Sequence, residues 1–446
     1  MDKLNREIIR LSAPTIVSNI TVPLLGLCDT AISGHLGSEI FLSAIAVGTV
    51  MLNVVFWIFG FLRGGTTGLT ANALGEGSER EISKVFYRSL LIALGAGILI
   101  IILHSPLFQF LWLIAGSDDE LKLLVKNYFE IRVWGAPALL ATMVISGWFV
   151  GMQTTFYPMV IAITMNIINI GASCLLVFPF NMGFHGIAIG TFISNWIGLL
   201  TAVGCILLFR KGKPLRCSIK EFMKGSWWKY FSVNGNLFLR SFFIICVTLG
   251  VTSAGAAISN LTLAINAVIM QFFLFFSFFM DGIAFSGEAM AGLRKGQGNF
   301  EMLSVTVKRL LQWTIAIAII FTASYFFGIE GITSLLTDNV RIIEGVSQLS
   351  LWIVLIPVVS CWAFLYDGLY IGITDTFKMM ISALIGGLFF FAIVSINHFG
   401  IFSLEDVERN MIIWTAFISY LGGRGAYLAL MWKKSLSNIK FNRDIN

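Results

Sequence analysis

SLLIALGAGILIIILHSPLFQFL, residues Ser89–Leu111, decides the class of this chain. It runs through all of its positions without one Asp, Glu, Lys or Arg. A helix crosses the hydrocarbon core of a bilayer with about 20 apolar residues. Working outward, runs of the same kind recur at Val133–Val150, Met159–Phe178, Ile187–Phe209, Phe242–Gly255, Leu310–Phe327, Leu349–Leu365, Met379–Ile396 and Ile412–Met431. Three more, Ile8–Ser33, Leu42–Leu62 and Leu261–Phe279, are interrupted by polar residues. The total is about twelve spans. Composition agrees: 57% of the 446 residues are hydrophobic and 12% charged, and the mean hydropathy is +0.86. A soluble domain carries about 25% charged residues, and this chain has too little polar surface to coat a soluble particle of its size. The fold class expected is an all-α polytopic membrane protein.

Several function classes drop out. The first span holds Asn19, Pro23 and Asp29, and no small-residue cleavage site follows a short apolar core, so it does not read as a signal peptide. The six cysteines stand singly, with no C-x-x-C pair. The four histidines form no ligand cluster, and neither a phosphate-binding loop nor a nucleophile elbow is present. The expectation is therefore no metal, no cofactor, no ATP chemistry and no enzyme.

Lysine and arginine orient the chain. Numbering the loops from the N-terminus, 22 of them fall on the N-terminal side, seven within Arg210–Lys229 alone. The other side has Lys122, Lys126, Arg341 and Arg409. Loops rich in Lys and Arg stay in the cytoplasm, so both termini are expected there, in the plasma (inner) membrane. The net charge of +6 reflects this bias and points to no nucleic-acid partner.

The chain also repeats. Leu42-Ser-Ala-Ile-Ala-Val-Gly-Thr-Val-Met-Leu-Asn53 resembles Asn260-Leu-Thr-Leu-Ala-Ile-Asn-Ala-Val-Ile-Met-Gln271, and Arg63-Gly64 falls opposite Asp281-Gly282 at the same offset of 218. Pro137 and Gly151 fall opposite Pro357 and Gly372 at offsets of 220 and 221. This predicts two homologous six-helix bundles, 1–209 and 230–446 with a short cytoplasmic tail, joined by a basic cytoplasmic linker, 210–229. Six spans is even, so a pseudo-twofold axis along the membrane normal should relate them, with a cavity between.

Gly26-Leu-Cys-Asp29-Thr-Ala-Ile-Ser-Gly34-His-Leu-Gly37 resembles the first helix of the multidrug and toxic compound extrusion (MATE) transporters. Phe61-Leu-Arg-Gly-Gly-Thr-Thr-Gly68, Gly135-Ala-Pro137, Gly151-Met-Gln-Thr-Thr155 with Pro158, Asp281-Gly-Ile-Ala-Phe-Ser-Gly-Glu288 and Asp367-Gly368 with Gly372-Ile-Thr-Asp375-Thr376 resemble further family motifs in order. The Asp29-Thr30, Arg63 and Asp281-Gly282 signatures are similar to the DinF-like branch. The resemblance covers residues 1–435. It implies a secondary antiporter that exports organic, often cationic and amphipathic compounds by alternating access. Sodium-coupled export and lipid-linked oligosaccharide flipping in the wider superfamily are the alternatives. An embedded enzyme would need a catalytic constellation that the chain lacks.

Buried acids are the expected machinery. A charge at the bilayer centre costs about 2.5–3.5 kcal/mol on the insertion scale, and Asp29 has no Lys or Arg within a helical turn. It is a candidate proton carrier, neutral facing one side and ionised facing the other. A structural carboxyl bonded across helices is the competing reading. Asn166, Asn169 and Ser173 share one helix face. The resemblance implies a polar network at Asn169, Ser173 and Thr191 facing Asp29. Many relatives carry a second aspartate where this chain has Ser173, and one carboxylate suits a proton better than a hard cation that wants several oxygens. H+ is thus the favoured coupling ion, with Na+ the alternative. For the asparagines, helix–helix adhesion is the competing role.

In the second half, Asp281 and Asp367 are candidates for binding cationic cargo, carrying a second proton, or pairing with Arg63 or Arg240. Glu288 lies near the cytoplasmic end, where solvation is an equal expectation. The seventh span offers Asn234, Asn236 and Arg240 but no acid, unlike the sodium sites of NorM-like relatives. Of the aromatic residues, Trp57 and Tyr370 are assigned to the substrate cavity together with Asn53; the phenylalanines from Phe272 to Phe279 are left to lipid or helix contacts. Expected partners are small organic substrates and membrane lipid, with no obligate protein partner.

Overall fold

The computed structural model describes residues 2–35, 39–115, 119–213, 215, 217–218, 222–223, 227–398 and 405–445. Arg216, Lys220 and Lys224 of the basic linker and Gly37 of the first-helix motif lie outside the described residues. Among the described residues there are helices and no strand. In chain order they are α1 (Lys3–Gly34), α2 (Glu39–Ile58), α3 (Phe61–Gly75), α4 (Glu79–Ile102), α5 (His104–Ala115), α6 (Asp119–Val133), α7 (Ala136–Gly151), α8 (Phe156–Val177) and α9 (Phe184–Phe209). Then come α10 (Trp227–Ala256), α11 (Asn260–Gln297), α12 (Phe300–Leu336), α13 (Val340–Gln348), α14 (Ser350–Gly372), α15 (Thr376–His398) and α16 (Asp406–Ile445).

Among the described residues, ten helical runs are long and apolar enough to cross a bilayer, or eleven with the bent pair Leu121–Val133 and Ala136–Gly151, which turns by 51°. Ile412–Met431 lies within α16, where Arg424 lowers the hydropathy of the span. Three boundaries differ from expectation, each for a local reason. Ser89–Leu111 is two helices rather than one. Pro106 has no N–H to give the Ile102 carbonyl, and α4 ends at Ile102. Val133–Val150 is broken at Gly135, where Pro137 sits in the first turn of α7. Leu42–Leu62 likewise divides between α2 and α3 around Gly60.

The chain forms two compact units, Ala13–Trp227 and Met1–Ser12 with Trp228–Asn446. The expected division put residues 1–12 with the first half. They belong with the second because Asn5 accepts from Trp313 Nε1 at 3.2 Å, Ser12 meets Ser286 at 2.7 Å, and Glu7 pairs with Arg294. In the first unit α8 packs on α9, and α7 on α3 and α4. An aromatic cluster of Phe86, Trp148, Phe149, Tyr157 and Phe209 closes its core. In the second, α14 packs on α11, α12 and α16, and α15 on α16. Phe272, Phe276, Phe321 and Tyr325 pack together there, and the Tyr325 hydroxyl donates to the Phe272 carbonyl at 2.7 Å.

The same backbone contacts recur in both units at one offset. A Cβ on Gly147 would lie 2.3 Å from the Arg63 carbonyl oxygen, and one on Gly368 would lie 2.3 Å from that of Ala284. Gly151 meets the Thr67 carbonyl as Gly372 meets that of Glu288. Left-handed backbone falls at Gly77 and Gly298, and at the non-glycine pair Gln153 and Thr374. Ser78 caps α4 through the Glu81 N–H and Asn299 caps α12 through the Met302 N–H. Every pair is 221 residues apart. This corrects the register read from sequence: Arg63 matches Ala284, not Asp281.

Candidate functional site

Asp29 projects from the last third of α1, half-buried, and its buried Oδ1 has no hydrogen-bond partner among the described residues. On α8, the 3.6-residue period puts Asn166, Asn169 and Ser173 on one face. Asn166 Nδ2 donates to Thr21 Oγ1 at 2.6 Å, which ties that face to α1 about two turns before Asp29. Asn169 Nδ2 donates to Thr191 Oγ1 of α9 at 3.0 Å, and Thr191 donates to the Ile187 carbonyl at 3.1 Å. Gly190 lets α9 press on Ser173: a Cβ there would sit 2.3 Å from Ser173 Oγ. The structure therefore brings Asn169, Ser173 and Thr191 together in a buried patch. Among the described residues no hydrogen bond joins that patch to Asp29.

Among the described residues, five buried side-chain oxygens of this unit lack a hydrogen-bond partner, and three of them, Asp29 Oδ1 on α1 and Asn169 Oδ1 and Ser173 Oγ on α8, lie on two helices joined by the Asn166–Thr21 bond. Buried polar atoms are ordinarily satisfied, so three on neighbouring elements set this region apart. One charged residue escaped sequence reasoning. The field of Arg132, on α6, acts on Asp29, and its Nη1 donates to the Tyr128 hydroxyl at 2.8 Å. It is remote in sequence from Asp29, and only the fold makes them neighbours. Of the two cavity candidates on α2, Asn53 is half-buried and Trp57 is 55% exposed.

The second unit carries a different arrangement. Asp367 of α14 is buried, and both Arg240 of α10 and Arg424 of α16 donate to its Oδ2. The Arg424 contact is 2.5 Å, and Arg424 Nη1 also donates to the Tyr420 hydroxyl at 2.9 Å. The pairing with Arg240 was one of the sequence expectations; Arg424 was not foreseen. These groups line a cavity of about 180 Å³ with Asp281, Ser277, Phe273, Phe364 and Phe417 among its other walls.

Three further expectations change. Glu288 is not solvated: it is 1% exposed, on a stretch of α11 against which Gly372 packs without a side chain. Tyr370 is a core residue and not a cavity wall. It is fully buried, its hydroxyl donates to the Leu428 carbonyl at 3.0 Å, and its ring meets Trp432 edge-on at 5.3 Å. Phe273, left to helix contacts, does face the cavity. In α10, Asn234 donates to the Tyr230 carbonyl and Asn236 to Thr376.

Comparison with known proteins matches this architecture. The MatE family model covers residues 14–175 and 237–395, one stretch in each half. DNA damage-inducible protein F of Escherichia coli is 33% identical over 433 residues, 96% of this chain and 92% of that protein. A probable multidrug resistance protein NorM of Thermotoga maritima is 26% identical over 44% of this chain and 43% of its own length. Among solved structures, a mutant of the Vibrio cholerae MATE transporter VcmN superposes with a TM-score of 0.83 at 14% identity, over 98% of each chain. That likeness is one of fold, with its helices in two bundles. By the family model and the 33% identity together, the chain belongs to the MatE family, the MATE efflux transporters: a multi-pass membrane transporter for small organic compounds, and not an enzyme.

Proposed function

We propose that this transporter is a proton-coupled antiporter that exports organic, often cationic and amphipathic compounds by alternating access, with Asp29 carrying the coupling proton. The observation that carries the proposal is the carboxyl oxygen Asp29 Oδ1, buried within a membrane span and without a hydrogen-bond partner among the described residues. A carboxyl fixed in an ion pair is held in one state; one without such a pair can take up a proton and release it. Coupling then needs only that the two conformations bind that proton with different affinity. Asn169, Ser173 and Thr191 supply a neutral polar patch in the same unit.

Two features favour a proton over sodium. The patch contributes an amide oxygen and a hydroxyl but no second carboxylate, whereas hard cations gather several charged or carbonyl oxygens. The seventh span has no acid. The excess of Lys and Arg on one side supports a plasma (inner) membrane protein with cytoplasmic termini. Neither a cofactor nor an obligate protein partner enters the scheme; lipid is the solvent. The test is the purified protein in liposomes with a pH gradient or a sodium gradient imposed separately, and a cationic dye followed. The pH gradient should drive dye movement. Drive by sodium at constant pH, with no response to a pH gradient, would refute proton coupling.

A further inference from the structure

We propose that the groove between α6 and α9 binds a phospholipid with a primary-ammonium headgroup, with Glu130 taking the ammonium and Trp134 and Phe192 meeting the first part of the acyl chains. The groove faces the leaflet away from the basic loops, and its occupant is a lipid rather than cargo, which goes beyond the efflux reading above.

The two helices run the same way. Near one end the rings of Tyr128 and Phe184 meet at 5.8 Å. Farther along both chains, Trp196 Nε1 donates to the Trp134 carbonyl at 3.3 Å. Just beyond Trp134 the chain turns by 51° into α7. A groove of about 570 Å³ opens along this pair of helices. Its walls are two matched stripes, Asn127, Glu130 and Trp134 of α6 and His185, Ile189 and Phe192 of α9. Spacings of three or four and then seven residues put each set on one helix face. On both helices the polar residues come first and the large ring last. Because the helices are parallel, the groove has one polar end and one apolar end.

The bilayer decides what can lie in it. The polar end is the one nearer the start of α6, in the segment that holds Lys122 and Lys126, on the side poor in basic residues. Seven residues advance about 10 Å along a helix, and the headgroup layer adds about 5–7 Å on each side of the hydrocarbon. The stripes therefore start among headgroups and end among acyl chains. Trp134 is 59% exposed and Trp196 41%, as suits tryptophans at a membrane interface, and Leu200, one turn deeper on α9, is 70% exposed. A soluble compound would have to leave water to reach Phe192; a phospholipid already spans that depth.

Charge selects the headgroup. Glu130 pairs with Lys126 at 3.7 Å, and both side chains are more than a third exposed. Such a pair is worth little, so a zwitterion can replace it, with its ammonium on Glu130 and its phosphate on Lys126. A primary ammonium brings three N–H donors, enough for the Glu130 carboxylate and the Asn127 amide oxygen. A choline headgroup brings none. His185, exposed at the head of α9, offers a ring N–H to the phosphate.

The experiment uses the full chain purified in detergent. Dioleoyl-phosphatidylethanolamine and dioleoyl-phosphatidylcholine are added separately, and bound lipid is counted by native mass spectrometry. The wild type should bind one ethanolamine lipid about tenfold more tightly than the choline lipid, the size of one charge-assisted hydrogen bond. Glu130→Gln should bring the two affinities together, and Glu130→Asp should keep them apart. Phe192→Ala should weaken both lipids alike. Water-soluble phosphoethanolamine, which has the headgroup without the chains, should not compete. Asn127→Ala removes the second acceptor and leaves the ion pair, so it should lower the preference even if Glu130→Gln proves unstable. Equal affinities in the wild type, a preference that survives Glu130→Gln or Asn127→Ala, or displacement by phosphoethanolamine alone would overturn the inference. So would displacement of the lipid by a cationic dye in the wild type but not in Glu130→Asp or Phe192→Ala, which would make the groove a cargo site. The readout is lipid binding, so its outcome is independent of whether a proton or sodium drives dye export.

Discussion

Gly147 lies against the Arg63 carbonyl and Gly368 against that of Ala284, at the same distance and 221 residues apart. The buried acids of the two units are held in opposite ways. Asp29 has a buried oxygen with no hydrogen-bond partner among the described residues, and the charge that acts on it, from Arg132, makes no ion pair with it. Asp367 is clasped by two arginines. A shared scaffold therefore carries one acid outside any ion pair among the described residues and another fixed between two arginines. The comparison teaches that the backbone repeat constrains helix crossings and turns, while the polar side chains lining each unit are free to differ.

The largest expected effect tests that contrast directly. Asp29→Asn should leave the protein folded, since the side chains are nearly isosteric, but reduce proton-driven dye export to the level of empty liposomes. Asp367→Asn should change which dyes are carried and leave export responsive to the pH gradient. If Asp29→Asn exports dye uphill at the normal rate, the contrast is broken and the proton is carried elsewhere, with Asp281 or Asp367 next in line. Next comes the scaffold. Gly147→Ala and Gly368→Ala each force a methyl onto a backbone carbonyl that cannot give way, and each should cost about 1–3 kcal/mol. The check is the thermal unfolding midpoint of the purified protein. Tolerance of one and not the other would mean that the two crossings are not equivalent.

A smaller effect sharpens the match of the turns. Gln153 and Thr374 both adopt left-handed backbone, which costs a non-glycine residue about 1–2 kcal/mol. Glycine relieves that at some cost in unfolded-chain entropy. Gln153→Gly should therefore gain less than about 1 kcal/mol of stability. Thr374→Gly should gain nothing, because it also removes the hydroxyl to which Lys295 Nζ donates at 2.7 Å. Chemical unfolding in mixed micelles would separate the two. The smallest effect is expected at Trp57, which is 55% exposed. Trp57→Ala should shift stability by no more than about 0.5 kcal/mol, so any loss of dye affinity in that variant would report on contact with cargo.

Much of this was legible in the sequence, because hydropathy and repeats are properties of the chain itself. The spans, the helical class and the α8 face of Asn166, Asn169 and Ser173 follow from period and composition. The register of the repeat was three residues off at Arg63, because the conserved contact uses a glycine on one helix and a carbonyl on the other, and a carbonyl leaves no mark in the sequence. Arg132 and Arg424 escaped for a related reason: each is opposite its acid only after the helices pack. Yet one signal was present. The lysines and arginines assigned to loops leave four over, Arg63, Arg132, Arg240 and Arg424, all within or beside spans. Basic residues at such depth are expensive, and three of the four flank Asp29 or Asp367. Tyr370 misled because an aromatic at helical spacing reads the same whether it lines a cavity or fills a core.

The glycine crossings bear on how the two halves came to differ. Where Gly147 meets Arg63 and Gly368 meets Ala284, one partner must be glycine and the atoms facing it belong to the other residue's backbone, so that residue's side chain is not set by the contact. The first unit places Arg63 there and the second Ala284. After a gene duplication such a position can drift from cation to methyl without loosening the joint beneath it, whereas the Thr67 hydroxyl, which donates to the Gly147 carbonyl at 3.1 Å, cannot be exchanged so freely. Inheritance of this architecture thus preserves a skeleton of absent side chains, and selection is left to write new chemistry onto the residues opposite.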